Sequence, residues 1–286
     1  MDSLDILIII LVLIIFVLFC KYFKNNENYH NFKLEENNDE LYVSLQDKVF
    51  NENHIYENDM KLFNKYAQLS NWTKPYILDA GTGFGRHFKY IKSYDCIGVD
   101  KEALYLKRAK IRNPLGEFKQ GKLENSELFP PETFTHIICP MDTLYNNKPK
   151  NEMNQIISNF KYWLKEGGIV MTHIFENPDK IDPSPREHSM FYKDKDGNSH
   201  ALTYFEKFTH DAYFKKEEEE DFKQTYIEKY IVKSGNMIQK MREFFFIPKK
   251  NMIEKFIENN FDLFHIQSLK NIDIEDYTLY FFKKKN

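Results

Sequence analysis

The most constraining stretch of this chain is Ile77-Leu78-Asp79-Ala80-Gly81-Thr82-Gly83-Phe84-Gly85-Arg86-His87. A short apolar run ends in glycines at every second position. Glycine reaches backbone angles closed to other residues and lets a ligand approach the main chain closely. At the carboxyl edge of a parallel sheet, such a turn is where small molecules bind. The spacing is not G-x-G-x-x-G, because Arg86 stands where the third glycine would fall, and no Gly-Lys-Ser/Thr follows to make a phosphate loop. The pattern is D-x-G-x-G-x-G. Asp79 is placed to hold the turn amides or to accept from an ammonium group, which suits an amino-acid-like cation better than a pyrophosphate.

The sequence around the turn alternates in period. Residues 76–78, 96–99, a short run from Phe118, 134–139 and 169–175 read as strands. Residues 87–92, 101–111 and 151–164 read as helices, Gly167-Gly168 ends the last of them, and two short helices precede residue 70. Alternation with short connections predicts an α/β fold, a parallel sheet covered by helices on both faces. After residue 176 the rhythm breaks. Residues 200–214 and 223–247 read as antiparallel strands joined around the charge run Lys215 to Asp221, a solvated hairpin tip. A helix over 248–260 and strands over 261–268 and 277–282 follow, the last two closing the sheet as a hairpin.

Asp100 ends the strand after the glycine turn. An acid there accepts hydrogen bonds from both hydroxyls of an adenosine ribose. Taken alone, an acid there is more often a helix N-cap than a ligand group.

With both pieces in place, the chain from about Leu41 to the end resembles a class I S-adenosylmethionine-dependent methyltransferase. Asp79 to Gly85 resembles that family's first motif and Gly98-Val99-Asp100 its second. Lys122-Leu123-Glu124-Asn125-Ser126 stands where the family lines the adenine, with Glu124 replacing the usual Asp. Phe134 to Cys139 resembles the fourth strand, with Thr135 replacing the usual acid. Trp163 to Gly168 resembles the Leu-Lys-Pro-Gly-Gly turn, with Glu166 in place of Pro. The resemblance implies a Rossmann-like, seven-stranded, mostly parallel sheet with an antiparallel C-terminal hairpin. It implies S-adenosylmethionine as cofactor, held by Asp79, Gly81, Thr82, Gly83, Phe84, Gly85, Asp100, Lys101, Glu124, Asn125, Cys139 and Met141. Asn125 would offer its backbone amide to the ring, and Met141 would pack on the donor.

Methyl transfer from a sulfonium is an in-line displacement, served mainly by positioning and a dry pocket. No metal is required. Three catalytic candidates stand out. Tyr145 is placed to line the acceptor pocket, or packs as an aromatic. His173 is a candidate base, or a satisfied structural histidine. Tyr56 is similar to the aromatic lid residues of small-molecule members, or belongs to the core. Pro140 to Tyr145 lacks the Asn-Pro-Pro-Tyr signature of enzymes that methylate amino groups of bases or glutamine. The insert 177–247 is rich in Tyr and Phe without a strong basic face, so a small-molecule or lipidic acceptor is expected and no nucleic acid. Two rival readings are a donor-binding membrane scaffold without activity and an aminopropyl transferase on the same fold. The latter would need acids gripping a polyamine, and Asp142 alone is poor support.

Ile6 to Cys20 is an unbroken apolar run closed by Lys21. Residues 6–23 are long enough to span about 30 Å of hydrocarbon at roughly 1.5 Å per residue. Asp2 and Asp5 replace the positive n-region of a signal peptide, and no small-residue cleavage site follows. A single-pass membrane anchor over 1–24 is expected, then a polar linker over 25–40 and the methyltransferase domain over 41–286. Lys21 and Lys24 place that domain on the cytoplasmic side. The chain's net charge of −3 and its three cysteines, without a CxxC spacing, exclude a basic nucleic-acid binder and a disulfide framework. Only five of the 40 basic residues are arginine, a bias read as genomic rather than physical.

Overall fold

A computed structural model describes residues 33–34, 39–50, 53–91, 94–175, 189–216, 222–233, 235–268 and 277–285. The expected membrane span and most of the linker lie outside the described residues. Among the described residues no helix is long and apolar enough to cross a membrane.

A two-residue strand β1 (Lys33–Leu34) precedes helices α1 (Asp39–Val49) and α2 (Asn53–Tyr66). Then come β2 (Tyr76–Ala80), β3 (Asp95–Asp100), α3 (Ala103–Arg112), β4 (Glu117–Gln120), β5 (Phe134–Cys139), α4 (Asn154–Trp163) and β6 (Leu164–Phe175). The second half holds β7 (Met190–Lys193), β8 (Ser199–Tyr204), β9 (Phe208–Lys216), β10 (Lys223–Val232), β11 (Asn236–Phe245), α5 (Lys249–Glu258), β12 (Phe261–Ser268) and β13 (Tyr277–Lys284).

Seven strands form the main sheet in the order β12-β13-β6-β5-β2-β3-β4. The five from β6 to β4 are parallel, and β13 runs antiparallel to both of its neighbours. This is the expected seven-stranded sheet with a reversed C-terminal strand. Its central strands are apolar on both faces because both are covered; β5, Phe-Thr-His-Ile-Ile-Cys, is buried throughout. Neighbouring residues point to opposite sides. Leu78, Ile137 and Val170 face Ile156, Phe160 and Trp163 of α4 and Met252 and Phe256 of α5. Ile77, Ile138 and Met171 face Met60 and Phe63 of α2.

The insert forms a second sheet in the order β1-β11-β10-β9-β8-β7, an antiparallel meander with β1 added parallel at its edge. Residues 33–34 of the expected linker therefore pair with Asn236 and Met237. Helix α1 joins this sheet to the glycine turn, since Tyr42, Val43, Leu45 and Val49 pack with Phe208, Tyr230, Ile238 and Phe84. Phe246 is the second joint. Its ring lies 5.5 Å from Tyr145 and 5.4 Å from Phe175 on one side, and 5.4 Å from Phe214 and 5.5 Å from Phe244 on the other.

Two local expectations are corrected. The helix expected over 87–92 is only a 3₁₀ turn at Phe88–Tyr90. Six residues give too few intrahelical bonds to offset nucleation. Gly167-Gly168 does not precede the last parallel strand but lies within it. β6 begins at Leu164, Gly167 takes φ +71°, and the register with β5 shifts between Phe134 and His136. The glycines absorb a bulge.

Candidate active site

The chain turns sharply at the end of β2. The amides of Gly81 and Thr82 both donate to the Val99 carbonyl at 2.8 Å, and the Gly83 amide donates to Asp100 Oδ2 at 2.9 Å. Gly81, Gly83 and Gly85 all have positive φ. A side chain on Gly81 would collide with Thr143, whereas a Cβ on Gly83 meets nothing closer than 4.0 Å. The loop is thus tight on one side and open on the other.

The open side is a cavity of about 520 Å³, within the range of small-ligand sites. Gly81, Gly83, Phe84, Asp100, Lys101 and Glu124 of the expected cofactor residues line its sheet half. Asp100 Oδ1 accepts from the Glu102 amide at 2.9 Å. Each carboxylate oxygen has two lone pairs, so both keep a site for a hydroxyl donor. Burial raises the Asp100 pKa, and the Glu102 and Gly83 amides counter that by stabilising the anion.

The remaining expected cofactor residues support the loop from behind. Asp79 is buried, and Oδ2 accepts from the Thr82 hydroxyl at 2.6 Å. It does not hold the turn amides, as expected of it, because the Val99 carbonyl and Asp100 already do. Its Oδ1 is buried without a hydrogen-bond partner among the described residues, and burial raises its pKa. Gly85 accepts from Asn113 Nδ2 at 2.9 Å. The Asn125 amide does not face a ring site but closes a turn onto the Lys122 carbonyl at 3.0 Å, and its side chain caps Glu127. Cys139 is buried within β5, its carbonyl accepting from Thr172 and its thiol pKa pushed up by burial. Met141 takes φ +58° and donates its amide to His173 Nδ1 at 2.7 Å. None of Asp79, Thr82, Gly85, Asn125, Cys139 and Met141 lines the cavity.

The three catalytic candidates do not line the cavity either. Tyr145 is fully buried, and its hydroxyl accepts from the Phe175 amide at 3.2 Å. His173 is fully buried with Nδ1 taken by Met141 and Nε2 3.3 Å from Asp59 Oδ1, so no nitrogen is presented to an acceptor. Tyr56 donates to the Phe50 carbonyl at 3.2 Å and meets the His87 ring edge-on. Asp59, on α2, also holds His87 Nε2 at 2.9 Å. Burial alone would raise the Asp59 pKa, but His173 and His87 overcome it and hold it at about 2. This Asp-His-His cluster braces the strand ends below the cavity.

The sequence reading missed the other half of the cavity. Gln46 of α1 and Arg242, Glu243 and Phe245 of β11 face the glycine turn, with Asp142, Thr143, Asn146 and Asn147 below them. Asp142 and Thr143 lie within the Pro140 to Tyr145 stretch that follows β5. The β11 residues carried one faint signal, an arginine in a chain that rarely uses it.

A cofactor with an adenosine and an amino-acid end fits these groups. Asp100 suits ribose hydroxyls. The orphaned, buried Asp79 Oδ1 beneath the turn is an acceptor in need of a donor, as an ammonium group is. Arg86 lines the cavity with its guanidinium over the Phe84 ring, 4.5 Å from the centroid. Among the described residues its only polar contact is with Asp47 at 3.5 Å, which suits it to a carboxylate.

The comparisons agree with this geometry. Residues 77–168, from β2 into β6, match the family model described as a methyltransferase domain. No curated protein sequence matches the chain. Among solved structures, an S-adenosylmethionine-dependent methyltransferase from Clostridium acetobutylicum is similar with TM-score 0.65 at 12% identity, over 86% of this chain and 98% of that one. The CcbJ methyltransferase of Streptomyces caelestis gives 0.63 at 11% identity, over 81% and 89%. The sugar N-methyltransferase KedS8 of a Streptoalloteichus species gives 0.58 at 13%, over 82% and 87%. The fold, the glycine turn with Asp100 and the family model point the same way: residues 77–168 match a methyltransferase domain, and the chain has the fold of S-adenosylmethionine-dependent methyltransferases.

Proposed function

We propose that the protein is a membrane-anchored methyltransferase acting on a small-molecule or lipidic acceptor. The observation that carries this reading is the roof over the glycine turn. Helix α1 and strand β11 close the cavity above Gly83 and Asp100 and give it a second half with its own polar groups. The bound cofactor supplies an electrophilic methyl group on sulfonium. The chain's residues do the rest by position: Asp100 fixes the ribose, Arg86 takes the carboxylate, and the roof limits the water that competes for the methyl group. The acceptor half is lined by Gln46, Asn146, Arg242 and Phe245, too small and too mixed in polarity for a nucleic-acid groove. The sugar-methylating neighbour KedS8 is consistent with a small acceptor. Residues 6–23 would hold the enzyme at a bilayer with the domain on the cytoplasmic side.

The test is transfer of labelled methyl from S-adenosylmethionine by the full chain into a cell extract, separated afterwards into aqueous, organic and macromolecular pools. Label in the aqueous or organic pool is expected. Label confined to protein or nucleic acid would overturn the acceptor assignment.

A further inference from the structure

We propose that the roof half of the cavity is an anion site in which Arg242 recognises a carboxylate or phosphate group on the methyl acceptor. The inference rests on the methyltransferase reading and narrows its substrate class.

The first observation is where the arginines stand. Four lie among the described residues, and two of them, Arg86 and Arg242, line the one cavity that the glycine turn opens into. Arg86 belongs to the turn itself and serves the donor. Arg242 comes from β11, on the opposite wall.

The second is how little holds Arg242. Its guanidinium carries five N–H donors in a planar fork. One of them, on Nη2, meets Glu228 Oε2 at 3.2 Å, while Nε is buried without a hydrogen-bond partner among the described residues. Arg112, outside this cavity, shows the contrast: it donates to the Phe84 carbonyl at 2.7 Å and to Asp47 at 2.6 Å. The Arg242 side chain remains 29% exposed, and its guanidinium lies 5.1 Å from the Tyr226 ring centroid and 5.7 Å from that of Phe244. It is held by stacking and left with donors to give.

The third is what surrounds Glu228. This carboxylate is fully buried and does not depend on Arg242 alone. Oε2 also accepts from Tyr42 at 2.8 Å, and Oε1 accepts from Tyr230 at 3.0 Å and lies 3.4 Å from His210 Nε2. Its charge is spread over several donors, so one contact does not use up the cation. The other roof carboxylate, Glu243, is paired with Lys223 at 3.0 Å. Asp100, Glu102, Glu124, Asp142 and Glu152 line the rest of the cavity; burial disfavours the Arg242 charge, and the fields of Tyr42, Glu228 and Asp142 outweigh it. A planar fork with free N–H groups, stacked on rings in a half-closed cavity, matches a carboxylate or phosphate better than a neutral hydroxyl.

The test uses the full chain and its labelled product. Wild-type enzyme transfers labelled methyl into cell extract, and the product is passed over an anion exchanger at neutral pH. Retention is expected. Retention after organic extraction identifies a lipid headgroup, and retention from the aqueous phase a free small molecule; either supports the proposal. Against the isolated acceptor, Arg242→Lys should raise KM about 10- to 100-fold, the worth of one charge-assisted pair, with the Kd for S-adenosylmethionine unchanged. Arg242→Met combined with Glu228→Gln removes both charges without stranding a buried carboxylate, and should show the same split. A neutral or cationic product, or an unaltered KM in both variants, overturns the anion site. Failure of the wild-type chain to bind S-adenosylmethionine, or to label anything, instead overturns the methyltransferase reading beneath it.

Discussion

His136 sits in the middle of β5 with both ring nitrogens engaged, Nε2 2.8 Å from the Ala67 carbonyl and Nδ1 2.8 Å from the Thr135 hydroxyl. Burial lowers its pKa from 6.5 to about 4, against the Ala67 carbonyl, which favours the charged ring. Between those values the unfolded chain binds more protons than the folded one. Stability therefore falls as pH drops from 6.5 to 4, by about 3 kcal/mol. Asp59 and Glu228 act lower. Burial would raise both, but His173 and His87 hold the first, and Arg242, His210 and Tyr42 the second, at about 2. Their contribution is complete above about pH 4.5 and is lost as pH falls toward 2. Urea unfolding across pH should show two limbs, and His136→Gln should remove only the upper one. An upper limb that survives the substitution would contradict this assignment. At this scale the sequence was informative wherever chemistry and backbone coincide, as at Gly81 and Asp100. It was silent on Arg242, because nothing local ties a residue of β11 to a turn in the first third of the chain.

The elements that matter are the glycine turn and the two joints between the sheets. Gly81 combines φ +74° with contact against Thr143. Gly81→Ala should cost about 1–3 kcal/mol in stability and weaken donor binding, since the turn must move to relieve the clash. Calorimetric titration and thermal unfolding of this variant read both effects; an unchanged midpoint would contradict the packing. Phe246 is 2% exposed and touches rings from both sheets. Phe246→Ala should cost about 3–5 kcal/mol, measured by denaturant unfolding. The strand positions were legible because parallel strands covered on both faces are read from unbroken apolar runs. The helix after the glycine turn was not, since a six-residue pattern says nothing of nucleation. The bulge at Gly167-Gly168 escaped for a similar reason: two glycines end a helix or deform a strand equally well.

At the scale of the whole molecule, an expected domain and an expected insert became one sheet roofed by another, and the site lies in the seam. That arrangement depends on α1 and β11 meeting across nearly two hundred residues, which no periodicity records. The proposed anchor is separable from the seam. Removing residues 1–24 should release the protein from carbonate-washed membranes while leaving donor affinity unchanged; retention of the shortened chain would contradict the anchor. In the proposed function, the turn from Asp79 to Gly85 and the carboxylate of Asp100 together hold S-adenosylmethionine. Isothermal titration of the full chain with that molecule tests it most directly. One saturable site per chain is predicted, weakened about 10- to 100-fold or more by Asp100→Ala, the worth of hydrogen bonds to a charged group. Equal affinity in the wild type and the variant would contradict it.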